Sequence, residues 1–253
     1  MNIPIKLDTS GSVLNIGDGM KNLSMSNKET KKQRKLVSHS DPTVNTFGST
    51  KLVEEYKKKS KTIYCNLLVI DNFYNNAMET RNYVLTLDFK VRGNYPGQRT
   101  ESHANAHLKT MIEGYISHFA GKITAWPTEK DAYNGAFQYT TSRDRTWIHN
   151  DGWNNWAGVL YLTPNAPVSA GTGIFRYIDG TRTGPEAEAK GNKKTLDEHS
   201  QDYTKWELVD RIGNIFNRVI LFNSTQYHAS LDYFGSNKDD GRLFQVFFFS
   251  TER

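Results

Sequence analysis

The chain has 253 residues, enough for one large domain or a domain with a tail and for a substantial buried core. Hydrophobic residues make up 37% and aromatics 12%; no stretch approaches the roughly 20 apolar residues of a membrane span, and "MNIPIKLDTSGSVLN" holds no apolar run of signal-peptide length. The formal charge of +5 does not describe a basic surface, because residues 1–61 hold twelve Lys/Arg against six Asp/Glu while residues 62–253 hold twenty against twenty-one.

Residues 1–60 form a polar, basic N-terminal arm, with "SNKETKKQRK" (26–35) as its sharpest charge run. Such composition reads as a solvated, partly disordered segment; contact with nucleic acid is the competing reading. Residues 61–253 are expected to fold. "TIYCNLLVID" (62–71) reads as a strand. "NNAMETRNYVLTLDF" (75–89) and "ESHANAHLKTMIEGYISHFAG" (101–121) have helical spacing, which predicts helices at 75–89 and 101–120, the second ended by Gly121. "GNYPGQRT" (93–100) between them is a turn-rich loop. Cys65 is the single cysteine, so no intrachain disulfide is possible, a reducing compartment is the simpler reading, and a cytoplasmic location is expected. It sits in an apolar run with no local His and reads as a structural thiol.

Beyond residue 121 the texture becomes that of many short strands punctuated by Gly, Asn, Asp and Pro: "KITAWP", "GAFQYTT", "RTWIHND", "WAGVLYLT", "GIFRYI", "KWELVDRI", "NRVILFN", "QYHAS" and "RLFQVFFFS". The expected fold class is mainly β with flanking helices, a sandwich, jelly roll or barrel. One polar connection, 179–204, interrupts the strands and reads as a surface loop or flap.

His149 and Asp151 stand two apart in "RTWIHND". If that run is a strand, both side chains leave from one face. A His and a carboxylate converging there, with a later His opposite, would make the 2-His-1-carboxylate facial triad that holds Fe(II) and leaves positions open. His228, in "FNSTQYHASL", follows an apolar strand and a short turn and is the candidate for that place. His199, in the polar connection, is a poorer one. Arg242 opens the otherwise apolar last strand; facing inward, it would grip an anion bidentately. Each has a plainer reading: a surface pair, a satisfied buried His, an Arg reaching water. His39 and Asp41 repeat the His-x-Asp spacing in the polar arm, where no strand surrounds them. His103 and His107 have zinc-ligand spacing on a helix but lack a third ligand.

His149-x-Asp151, His228 and Arg242, in this order, resemble the Fe(II)- and 2-oxoglutarate-dependent dioxygenases. "VIDNFYNNAMETRNYVL" with "YPGQRT", "GTGIFRY", "NRVILFNSTQYHAS" and "GRLFQVFFF" look like the small prolyl-4-hydroxylase-like branch, near its phage and bacterial members, over residues 62–253. The resemblance implies a double-stranded β-helix (jelly roll, cupin-like) core. It implies Fe(II) on His149, Asp151 and His228, with 2-oxoglutarate held by Arg242 and, less directly, by Tyr139 and Tyr161. Trp147, Trp153 and Trp156 would shape the cavity mouth or pack in the core. The implied reaction uses O₂ to hydroxylate a protein, peptide or small-molecule substrate, releasing succinate and CO₂, in the host cytoplasm if the chain is phage-encoded. Two departures stand out: a gap of 14 residues from His228 to Arg242, lengthened by "GSNKDDG", and Phe244 where the family often has Ser or Thr. Retention of Asp151 argues against the halogenating relatives. The competing functions are a non-catalytic β-sandwich binding module for a virion or carbohydrate surface, and an oxygenase acting on nucleic acid through the basic arm.

Overall fold

Nine of the ten residues of the last strand, RLFQVFFFST, are buried because it runs through the middle of a sheet covered on both faces. The structure, a computed structural model, describes residues 65–253. In chain order it places β1 (Leu67–Ile70), α1 (Ala77–Val84), β2 (Gln98–Arg99), α2 (Ala106–Ala120), β3 (Ile123–Ala125), β4 (Phe137–Thr140), β5 (Trp156–Tyr161) and β6 (Thr172–Tyr177). There follow α3 (Gly184–Lys190), α4 (Lys193–Glu198), a 3-10 turn at Tyr203–Lys205, β7 (Trp206–Ile212), β8 (Val219–Asn223), β9 (His228–Ser230) and β10 (Arg242–Thr251). The expected arm boundary at residue 60, the basic run and the His39–Asp41 pair lie outside the described residues.

Seven strands form one sheet in the order β1-β8-β5-β10-β4-β2, with β3 also pairing β10; β7-β6-β9 form a second sheet. All the pairings are antiparallel. From β5 onward the chain passes between the two sheets and back, as a jelly roll does. The alternation of β10 explains its two-sided burial. Leu243, Phe247 and Phe249 join Leu160, Leu221, Ile112 and Ile116 under α1 and α2. Phe244, Val246 and Phe248 join Ala157, Ile220, Phe222 and Ile174 between the sheets. Burying each such side chain contributes about 1.5–3 kcal/mol.

The helices differ from the spacing-based expectation. The first ends at Val84 rather than 89, because Leu85, Thr86 and Leu87 turn on bonds to Arg81, Tyr83 and Val84 carbonyls. The buried Arg81 anchors it, donating to the Leu162 and Asp239 carbonyls. The second starts at Ala106, where the Asn105 side chain caps Leu108 N–H. Residues 101–104 are tied instead to the 130–135 loop, through Ser102 N–H to Lys130 and His103 N–H to Gly135. His103 is therefore not on the helix that carries His107, and the i, i+4 pair does not form.

The connection 179–204 is no open loop. Thr183 caps α3, Pro185 sits in its first turn, and Gly191 ends it in the left-handed region at φ +69. Ala187 and Leu196 are fully buried in a third cluster with Ile148 and Tyr227. This segment braces the chain beneath the His149 region. Gly184 permits that contact: a Cβ there would come within 2.5 Å of Asn150 Oδ1. Among the described residues no helix is long and apolar enough to cross a membrane.

Candidate metal centre

His149 does not lie on a strand. "RTWIHND" contributes a single bridge, in which His149 N–H donates to the His228 carbonyl at 3.0 Å and His228 N–H returns the bond at 2.8 Å. Two residues that exchange both backbone bonds face each other directly and project to the same side. On either side of this bridge the segment finds other partners, Ile148 N–H to the Ser200 carbonyl and Asp151 N–H to the Ser224 carbonyl, each at 2.8 Å. The Ser224 carbonyl is presented by a turn in which Asn223 Oδ1 accepts from both Thr225 N–H and its hydroxyl. The same turn delivers His228 to the start of β9. The pairing expected from strand alternation is thus made by one bridge and one turn.

The ligand atoms converge. His228 Nε2 lies 3.3 Å from Asp151 Oδ2, and His149 Nε2 lies 3.9 Å from Asp151 Oδ1. All three groups offer an atom within 4.8 Å of the others, the one such His/Cys/Asp/Glu cluster among the described residues. Each imidazole is fixed by its own chain. His149 Nδ1 meets the Trp147 carbonyl at 3.0 Å, and His228 Nδ1 meets the Gln226 carbonyl at 2.8 Å. A carbonyl only accepts, so Nδ1 carries the hydrogen and Nε2 presents a lone pair. Burial pushes the His149 imidazole down to about 4, with His228 adding to the effect and Asp151 and the Trp147 carbonyl opposing it. Its side chain is 38% exposed and lines the cavity. Burial raises the Asp151 carboxyl, but the hydrogen bond and charge of His228, then His149 and Arg99, bring it below the usual range. Two lone pairs and a carboxylate pointed at one spot repel. A cation relieves that crowding, either a proton on the short His228–Asp151 contact or a metal ion among all three. The donor set fits a divalent ion of the imidazole–carboxylate class.

The triad lines a cavity of about 380 Å³ between the two sheets. Arg242 lines it too and is 1% exposed. Its Nε donates to the Ala170 carbonyl at 3.0 Å, and its guanidinium carbon lies 4.4 Å from the Phe244 ring centre and 5.3 Å from that of Tyr161. Among the described residues no carboxylate is within 4.0 Å of it. Tyr161 is fully buried and shares a 2.8 Å hydrogen bond with Thr172, a cavity residue. Tyr139 stands apart: it packs on Phe89, ring centres 5.1 Å apart, in the helix-side core, and does not line the cavity. The register Tyr139↔Leu243 and Gln138↔Phe244 puts Gln138 on the cavity face in its place.

Of the tryptophans, Trp147 and Trp153 line the cavity, Trp153 being 58% exposed. Trp156 is buried on the helix side, its Nε1 donating to Thr251 Oγ1. His199 bonds the Tyr177 hydroxyl at 2.6 Å, outside the cavity. Cys65 is partly buried just before β1; burial pushes its thiol up. The "GSNKDDG" connection closes on Asp240, whose carboxylate accepts from Ser236 and Asn237 N–H. Sequence reasoning missed Arg99, Tyr95 and Tyr133, which also line the cavity. The one nearby signal is Tyr95, four residues before Arg99 in "YPGQRT".

No family model matches the chain, and no curated protein matches it. Solved structures do. HygX from Streptomyces hygroscopicus, crystallised with nickel and 2-oxoglutarate bound, is 14% identical over 79% of this chain and 87% of its own, with a TM-score of 0.48. A prolyl hydroxylase from Trichoplax adhaerens, in complex with a hypoxia-inducible-factor peptide fragment, is 13% identical over 80% and 94%, with a TM-score of 0.43. A Pseudomonas putida prolyl-4-hydroxylase is 14% identical over 74% and 93%, with a TM-score of 0.40.

Proposed function

We propose that the chain is a non-haem Fe(II)- and 2-oxoglutarate-dependent oxygenase of the prolyl-4-hydroxylase-like kind. The observation that carries this reading is the pairing, in one cavity, of three converging metal-type ligands with a buried guanidinium that has no carboxylate partner among the described residues. His149 Nε2, Asp151 and His228 Nε2 would hold Fe(II) from one side. Three protein ligands leave open positions, which favours an oxygen-activating iron over a closed structural zinc. Iron with 2-oxoglutarate and O₂ supplies oxidative decarboxylation to succinate and CO₂ and oxygen transfer to a C–H bond.

The chain's own part is orientation and exclusion. Arg242 takes the distal carboxylate of 2-oxoglutarate through its planar fork, pointed by the Ala170 and Gly171 carbonyls. Tyr161, held by Thr172, supports that end of the pocket. Phe222, Phe244, Val246 and Phe248 keep the wall apolar, so water competes poorly for the open positions. The substrate is a protein or peptide side chain or a small molecule.

Anaerobic titration of the apoprotein with Fe(II), then 2-oxoglutarate, tests the reading through the weak visible charge-transfer band of the chelate. The band is expected for the wild type and absent for His149→Ala. Arg242→Ala should weaken 2-oxoglutarate by about 100-fold, the scale of losing a buried charge-assisted pair. A wild type that gives no band at millimolar cosubstrate would hand the lead to the binding-module reading.

A further inference from the structure

The cavity contains a second buried guanidinium that the proposed reaction leaves without a task. Arg99, on β2, is 5% exposed and lines the same cavity as the triad. Its Nε and Nη2 both donate to one acceptor, Gln138 Oε1. The Gln138 amide is itself fixed, donating to the Pro96 carbonyl at 2.6 Å. The ring centre of Tyr95 lies 3.6 Å from the guanidinium carbon, and that of Tyr133 lies 4.7 Å away. Nη1 is buried and has no hydrogen-bond partner. Among the described residues no carboxylate comes within 4.0 Å of Arg99. Burial pushes its basicity down to about 10, with Tyr95, Tyr133 and Asp151 opposing the shift, so it is charged at neutral pH.

Buried charge with a spare donor is costly unless a partner arrives. A planar fork held by a neutral amide, rather than by a carboxylate, keeps its full charge for a ligand. Electrostatic balance points the same way. A divalent ion and two guanidiniums, set against the single Asp151 carboxylate, leave the cavity strongly positive. A dianionic cosubstrate does not cancel that excess. Tyr133 runs on to Trp153 at 6.2 Å between ring centres, and Trp153 to Phe248 at 4.9 Å, so an aromatic wall leads from the exposed mouth to Arg99.

We propose that Arg99 receives a carboxylate of the primary substrate, which is therefore an organic anion whose apolar part lies along Tyr133 and Trp153. Arg242 keeps the cosubstrate. The word substrate rests on the oxygenase reading; the anion pocket does not.

The test is a binding titration, followed by tryptophan fluorescence and by ligand NMR, on the full chain loaded with Mn(II) and 2-oxoglutarate and on the metal-free chain. The probes are benzoate and its neutral counterpart benzamide. Benzoate should bind the wild type at least tenfold more tightly than benzamide, with contacts from its ring to the Tyr133 and Trp153 rings. Arg99→Gln should erase that preference and leave 2-oxoglutarate affinity within about twofold. Arg242→Gln should do the reverse. Equal binding of the two probes to the wild type overturns the proposal. So does a loss of 2-oxoglutarate affinity in Arg99→Gln as large as in Arg242→Gln. If Arg99→Gln fails to fold, the wild-type charge preference and its contacts decide alone. A blocked Ala-Glu-Ala peptide separates the sources: Arg99-dependent binding of the peptide means an acidic side chain, and of benzoate alone a free acid. Binding of neither overturns the pocket. Failure to load Mn(II) and 2-oxoglutarate sinks the oxygenase reading instead, and benzoate on the metal-free chain still judges Arg99.

Discussion

His149 is held neutral by the fold itself, before any metal is considered. Its imidazole titrates at about 4 in place of an ordinary 6.5, chiefly because it is buried. Between those values the unfolded chain carries the extra proton and the folded chain does not. Stability from this group is therefore present above pH 6.5 and is lost as pH falls toward about 4. Asp151, also held low, adds a loss at the acid end. Thermal melts of the metal-free protein across this window should show a falling melting temperature, and His149→Gln should flatten the decline. A wild-type melting temperature indifferent to pH there would mean that His149 is not desolvated. Spacing, strand context and the family resemblance singled out His149, Asp151, His228 and Arg242, and the structure brings all four to one cavity. They did not reach Arg99, because the groups that make it notable, Tyr133 and Gln138, are 34 and 39 residues away along the chain.

Strand β4 shows how an element, rather than a residue type, assigns roles. In "FQYT" the resemblance singled out Tyr139, ten residues before His149. The side chains of a strand alternate, so a one-residue difference in register exchanges the two faces. Pairing with β10 settles the parity: Gln138 sits opposite Phe244 on the cavity face, and Tyr139 sits opposite Leu243 on the helix face. Tyr139→Phe should leave 2-oxoglutarate affinity within about twofold. Tyr161→Phe, which leaves the Thr172 hydroxyl without its partner, should weaken it by on the order of tenfold, the worth of one buried hydrogen bond. Calorimetric titration of both variants checks this, and a large loss in Tyr139→Phe would contradict the register. The strands were legible because their apolar runs are short and punctuated. The 145–151 segment was misread as a strand because its alternation is real, while its hydrogen bonds go to three separate partners, Ser200, His228 and Ser224. The helices α3 and α4 were missed although their cap signals, Thr183, Pro185 and Gly191, stand in the sequence.

At the scale of the whole molecule, the site joins parts far apart in the chain. The candidate metal ligands come from the 149–151 segment and from β9 of the smaller sheet, while Arg242 begins a central strand of the larger one. Ligands that bind only when all of these are assembled stabilise the fold by mass action. With Fe(II) and 2-oxoglutarate at about 100 times their dissociation constants, each binding event contributes about 2.7 kcal/mol. Anaerobic melting with and without the two should show a rise on metal addition, a further rise with cosubstrate, and full reversal by chelator. A rise from cosubstrate alone equal to that with metal would separate the anion pocket from the metal centre.

The reciprocal bond between the His149 and His228 backbones has a kinetic consequence. Both imidazoles are already turned inward, so an arriving ion has no chain to gather. Capture is then governed by how fast the ion sheds water, and the observed rate should climb in proportion to metal concentration with no plateau.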